Sequence, residues 1–152
     1  MANWYGTSRS NYFRVKDEAQ FRQWVDTRGI GIIQSREDPT LFAVYSTDDG
    51  SWPSYDMETD TEVDFLNELS QHLAKGEVAV LLTAGAEKLR YITGEALAVN
   101  HKGKVVDLSL FDIYQKAART FRVPLSSIAH AEYELPRQVE ELFASCTRRA
   151  ET

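Results

Sequence analysis

The sequence predicts an α+β domain: a mostly antiparallel sheet with helices packed on one face, built from ferredoxin-like β-α-β-β elements. Three observations predict it. Stretches with period-two or continuous apolar character alternate with stretches whose apolar residues recur at three and four. Two pairs of apolar runs are separated only by short turn-rich segments, as hairpins are. The chain has 152 residues, 43% hydrophobic and 26% charged, which suits one domain over residues 1–152 with one core.

The elements follow in order. Segment 10–16, SNYFRVK, alternates and is rich in aromatic and β-branched residues, which predicts the first strand. Asp17 is the expected N-cap of a helix, with Gln20 completing a capping box, Phe21, Trp24 and Val25 as its apolar stripe and Gly29 as its stop. Residues 31–34 and 41–45 are two strands of a hairpin across Arg36-Glu37-Asp38-Pro39. Residues 46–60 are polar and turn-rich. A second helix is expected from Thr61 to Lys75, carrying Phe65, Leu66, Leu69 and Leu73 on one face, with Gly76 as its C-cap. Residues 78–82, VAVLL, form a continuous apolar run and predict a central strand buried on both faces. Leu89 to Val99 and Lys104 to Leu108 predict a hairpin closed by Asn100-His101-Lys102-Gly103, where Gly103 supplies a positive φ. A third helix is expected from Ser109 to Phe121. Ser109 and Asp112 form its capping box, and Leu110, Ile113, Tyr114, Ala117, Ala118 and Phe121 its core face. A short strand at Ser127–Tyr133 and a last helix opening at Pro136, with Val139, Leu142, Phe143 and Cys146 on one side, complete the order.

Several classes of function are argued against. The net charge of −6 and a pI near 5.1 oppose a general nucleic-acid binder, which needs a basic surface. One cysteine, Cys146, excludes an internal disulfide framework, and its place on an apolar stripe predicts a buried structural thiol. No apolar run is long enough for a membrane span. The N-terminus lacks the apolar core of a signal peptide, so a cytoplasmic protein is expected. His72, His101 and His130 show no metal-ligand spacing, and His72 is expected to favour a positive charge near a helix C-terminus. No nucleophile elbow, phosphate-binding loop, dinucleotide fingerprint or zinc-protease motif is present, so no catalytic residue, metal or cofactor is expected. Thr83 to Lys88 is the nearest approach to a small-residue anion loop, and a plain connecting turn is the expectation there.

The charge is polarised along the chain. Between Arg36 and Ser70 there are ten acids against the single base Arg36, a charge of −9, so the rest of the chain carries +3. Asp60, Glu62 and Asp64 are expected in the first turn of the second helix, where negative charge is stabilising. Embedded in the acidic stretch is Ser51-Trp52-Pro53-Ser54-Tyr55. Large aromatics among acids in a loop point to a binding surface, although a tryptophan folding back over the core explains Trp52 equally well. The candidate partner-binding residues are Asp48, Asp49, Trp52, Tyr55, Asp56 and Glu58. The partner expected is a basic host protein or nucleoprotein complex. An alternative surface is a basic strand face carrying Arg9, Arg14, Lys16, Lys88, Arg90, Lys102 and Lys104 with Tyr12, Tyr91 or Trp4, which suits a nucleic-acid-associated module. A third is an enzyme with its cleft near Glu87 and Lys88.

Residues 2–6, ANWYG, through residues 10–17, SNYFRVKD, form one recognisable block. A second joins Gly76 to Leu81, Gly85 to Tyr91, Ala98 to Asn100 and Lys102-Gly103, and Trp52-Pro53-Ser54 adds to both. Together these resemble a family of short uncharacterised bacterial proteins carried on phages, plasmids and integrative elements. The resemblance covers the first three quarters of the chain and brings no catalytic or cofactor-binding residue with it. It implies a mobile-element accessory protein. By analogy with small acidic proteins of such elements, it implies a non-enzymatic inhibitor of a host defence complex.

Overall fold

Asp17 opens the first helix as its spacing predicts: its carboxylate accepts the Gln20 N–H at 2.9 Å, and Gly29 closes the helix at φ +63. The structure, a computed structural model, describes residues 3–88 and 90–128. Its elements are β1 (Trp4–Ser10), α1 (Glu18–Arg28), β2 (Gly31–Gln34), β3 (Phe42–Tyr45), β4 (Tyr55–Asp56), β5 (Thr61–Glu62), α2 (Phe65–His72), β6 (Val78–Glu87), β7 (Arg90–Asn100), β8 (Val105–Ser109), α3 (Asp112–Phe121) and a 3-10 turn (Leu125–Ser127).

The fold is α+β. Six strands form one sheet in the order β2-β3-β1-β6-β7-β8, and β4 pairs with β5 separately. All these pairings are antiparallel. The α1 connection leaves β3 between β1 and β2, and the α2 connection leaves β1 between β3 and β6. Both crossings are therefore split β-α-β arrangements. Helices α1 and α2 bury Phe21, Val25, Phe65 and Leu69 against Phe13, Phe42, Val44, Ala79, Leu81 and Val99. Phe21 is at the centre: its ring meets Phe13 edge-on at 5.9 Å and Phe42 at 5.7 Å.

Several elements differ from the sequence reading. The first strand lies at Trp4–Ser10, ahead of the expected 10–16. Phe13 and Val15 make only isolated bridges, to Phe42 and Leu73. The alternation of 10–16 reports two side chains entering the core, not a ladder. The second helix is shorter than Thr61–Lys75. Asp64 caps it by accepting the Asn67 N–H at 3.1 Å, and Thr61–Glu62 pair with Tyr55–Asp56 instead. Of the three acids expected in its first turn, Asp60 sits in a turn at φ +55 and Glu62 in β5. At its other end Leu73 bridges Val15, and Gly76 serves the following turn at φ +85.

Strand β6 is not buried on both faces. Ala79 and Leu81 are 0% and 1% exposed, whereas Val78 and Leu82 are 43% and 57% exposed. Nor does it end at residue 82: Thr83 to Glu87 continue the ladder with β1, so the expected small-residue loop is strand. The Asn100–Gly103 turn is as expected, with Gly103 at φ +78 and the Asn100 side chain accepting the N–H groups of Lys102 and Lys104. The Asp112 carboxylate accepts the Ser109 N–H at 2.8 Å, but α3 starts at Asp112, not Ser109, with Phe111 as its N-cap and no side-chain cap bond. Its expected core face is not core. Leu110, Ile113 and Phe121 are more than half exposed, and only Ala118 is buried. Helical spacing sets which residues share a face but not what that face meets. The strand expected to run to Tyr133, the helix expected from Pro136, His130 and Cys146 lie outside the described residues.

Phe21→Ala removes the ring on which both helices and the sheet converge. We expect urea denaturation to show a loss of about 3–5 kcal/mol, a large share of the 5–15 kcal/mol typical of a domain.

Candidate functional site

Gly6 and Gly85 stand opposite each other in the β1–β6 ladder. A Cβ on Gly85 would lie 2.3 Å from the Trp4 ring, and one on Gly6 2.7 Å from Trp4 Nε1. The glycine pair is thus a seat for the Trp4 indole. From that seat Trp4 Nε1–H donates to the Asp49 carbonyl at 3.1 Å. The next residue of the acidic loop, Gly50, has φ +80 and lies so close to β1 that a Cβ would meet the Thr7 nitrogen at 2.7 Å.

A hydrogen-bonded chain fastens the loop to the sheet. Buried Ser8 donates its hydroxyl to the Gly50 carbonyl. Ser8 Oγ is 2.8 Å from Thr83 Oγ1, and Thr83 Oγ1 accepts the Trp52 Nε1–H at 3.2 Å. Thr83 Oγ1 is thus the acceptor shared by Ser8 and Trp52. Trp52 then stacks on Phe65 at 5.2 Å and 18°, and Phe65 stacks on Trp24 at 5.3 Å and 25°. Trp52 is half-buried and belongs to the margin of the core.

These contacts outline a cleft of about 350 Å³. Trp4 and Trp52 line it, with Thr83 and Thr93 beside them and Asp49 and Glu95 among its acids. The carboxylates of Asp48, Asp49 and Glu95 have no ion-pair partner among the described residues. Thr93 and Glu95 escape a sequence reading because strand pairing alone brings them here: Thr83 opposes Glu95 and Gly85 opposes Thr93. The signal available for Trp4 was the pair of glycines that must make room for it.

The six candidate residues divide into two groups. Asp48, Asp49 and Trp52 border the Trp4 side. Tyr55, Asp56 and Glu58 belong to the β4–β5 hairpin, which has its own anchor. The Tyr55 hydroxyl donates to the Asp60 carboxylate, a bond that raises the Tyr55 pKa. Asp56 accepts the N–H groups of Glu58 and Thr59 and an Arg28 Nη1 bond at 2.8 Å. The backbone donors first, then Arg28, hold its carboxyl below the ordinary range. Arg28 grips both Glu68 oxygens, at 2.8 and 2.7 Å, and Glu68 also accepts Trp24 Nε1–H at 2.8 Å. The Arg28 bond holds Glu68 below its usual pKa. Glu58 is exposed.

At the end of α2, where a positive charge is expected to be favoured, His72 is instead packed among aromatic rings. It lies against Trp24 at 5.0 Å and Phe21 at 6.0 Å. Burial lowers its pKa, against the opposing pull of Glu68 and with the help of nearby Lys16.

The described basic residues of the expected strand face lie apart from one another. Arg9 stands on the open side of the sheet, beside an apolar trough of about 500 Å³ lined by Leu82, Ala84, Ala96, Leu108 and Leu110, and the Arg90 side chain lies outside the described residues. Arg14 is engaged by Asp38 at 2.9 Å and Glu77 at 3.6 Å. Lys88 lies at one tip of the β6–β7–β8 meander and Lys102 and Lys104 at the other. Trp4 lies on the helix side, with the acids. Among the described residues no three His, Cys, Asp or Glu gather to hold a metal, and no helix is long and apolar enough to cross a membrane. No family model, curated protein or solved structure matches the chain.

Two predictions follow from these anchors. Trp52→Ala removes the end of the aromatic stack and is expected to cost about 2–3 kcal/mol in denaturant unfolding. Trp52→Phe keeps the stack, loses only the Thr83 bond, and costs about 1 kcal/mol. The second concerns pH. His72, Glu68 and Asp56 all have folded pKa values below their unfolded ones, so the unfolded chain binds more protons as pH falls. Stability is complete above about pH 6.5, declines first as unfolded His72 protonates, and declines again through the carboxylate range. In thermal melts from pH 8 to pH 3, His72→Gln should flatten the upper leg. Arg28→Met should flatten the lower leg while lowering the neutral-pH Tm by about 5 °C or more.

Proposed function

We propose that this is a non-enzymatic binding protein, an accessory of a mobile element in the bacterial cytoplasm, whose acidic end engages a basic host protein or nucleoprotein complex and inhibits it. The observation that carries the reading is the Asp48-Asp49 turn. Its two carboxylates are exposed and unpaired among the described residues, on a loop whose backbone is tied to β1 by Trp4, Gly50 and Ser8. Charge held in place before the encounter steers a basic partner and limits the ordering entropy lost on binding. The sequence resemblance supports the mobile-element setting, and the segment charge of −9 supports the sign of the partner.

Intramolecular bonds narrow the set of acids on which this reading rests. Asp56 is spent on Arg28 and Tyr55 on Asp60, so Asp48, Asp49 and Glu58 are the free acids of the six. The test is a pull-down from bacterial lysate with wild type and with Asp48→Asn/Asp49→Asn/Glu58→Gln, followed by affinity measurements on the retained protein across a salt series. We expect a basic protein or nucleoprotein complex held by wild type, bound at least tenfold more weakly by the variant, with affinity that falls as salt rises. Equal retention by both proteins, or retention of no basic species, overturns the reading.

A further inference from the structure

The cleft between the acidic loop and the end of the sheet has a chemistry of its own. Both indole N–H groups that border it are already used, Trp4 by the Asp49 carbonyl and Trp52 by Thr83. Thr83 Oγ1 also accepts from Ser8 Oγ at 2.8 Å. What remains to meet a ligand is aromatic ring surface, the acceptor oxygens of Glu95 and Asp49, and the hydroxyls of Ser51 and Thr93, which can accept as well as donate. Neither carboxylate has an ion-pair partner among the described residues. A site with π surface and two unpaired carboxylates, whose indole donors are already satisfied, suits a cation and repels an anion.

Shape narrows the class. A volume of about 350 Å³ is at the small end for ligand sites and admits one side-chain head group. A guanidinium is planar, stacks on indole, and presents a fork of N–H donors to a carboxylate. An alkylammonium offers a point charge and no flat face.

We propose that the Trp4–Trp52 cleft is a guanidinium site, with the indoles taking the faces of the group and Glu95 accepting from its edge. This rests on the reading of the acidic end as a recognition surface, and it assigns the anchor of that surface: an arginine side chain of the partner. Glu95 is then a specificity residue that lies outside the acidic segment in the sequence.

The test uses the ¹⁵N-labelled full chain. Its three tryptophans, Trp4, Trp24 and Trp52, give three indole N–H signals, assigned by single Trp→Phe variants. The probes are methylguanidinium chloride and a peptide of six arginines. Both should move the Trp4 and Trp52 signals and leave Trp24 in place. Glu95→Gln changes an exposed side chain and should weaken both probes about fivefold. Asp48→Asn/Glu58→Gln should weaken only the peptide, and only at low salt.

A peptide that binds without moving the Trp4 and Trp52 signals overturns the cleft assignment while leaving the acidic surface standing. Methylguanidinium binding with no effect of Glu95→Gln overturns the role of Glu95. Signals moved by methylguanidinium but not by the peptide overturn the partner-side-chain assignment in favour of a free small cation. Failure of both probes to bind overturns the cleft altogether, whatever the lysate experiment shows for the acidic surface.

Discussion

The stack that runs from Trp52 through Phe65 to Trp24 is the interaction on which the acidic half of the molecule depends. Aromatic side chains bury large areas with few rotatable bonds, so a stack of three holds its supporting elements in fixed relation. Here those elements are the acidic loop, α2 and α1. The stack also imposes polar requirements, because a part-buried indole N–H needs an acceptor. Trp52 finds Thr83. Trp24 finds the Glu68 carboxylate, whose charge is in turn met by Arg28. Arg28 has a further nitrogen, and Asp56 takes it. One packing decision at the centre thereby places the β4–β5 hairpin at the periphery.

The same sequence of requirements redistributes the acids. A count along the chain treats them alike, but the fold does not. Asp56 and Glu68 neutralise Arg28, Asp38 meets Arg14, Asp64 caps α2 and Asp60 accepts from Tyr55. These groups stabilise the fold through charge-assisted bonds. Asp48, Asp49 and Glu58 have no such engagement among the described residues, and Glu95 joins them from the far side of β6. The molecule presents a smaller negative surface than its sequence implies, but one that is held in place and adjoins aromatic rings. Preorganised charge beside apolar surface is the arrangement that favours specific recognition over general attraction.

Local chemistry was legible in the sequence. The Asp17 cap, the Gly29 stop and the Asn100–Gly103 turn depend on contacts within a few residues, and each formed where its residues sit. The β2–β3 and β7–β8 hairpins were legible for the same reason, since adjacent strands joined by a short turn have few alternatives. Elements whose identity depends on a distant partner were not. WYGTSRS is a poor strand by composition, yet it pairs along its full length with β6 because Gly6 and Gly85 leave room for Trp4. SNYFRVK is a good strand by composition, yet beyond Ser10, which ends β1, it contributes only two isolated bridges.

The sequence by itself determined the α+β class, the ends of the first helix, the tight turns and the uneven distribution of charge, all of which follow from short-range propensity, periodicity and composition. Only the tertiary structure decided which acids are free, that Trp52 belongs to the margin of the core, and that Trp4 and Glu95 share a cleft with it. The reason is physical. A side chain's exposure and its hydrogen-bond partners are set by residues tens of positions away, and strand pairing brings such residues together without leaving a periodic mark in the chain.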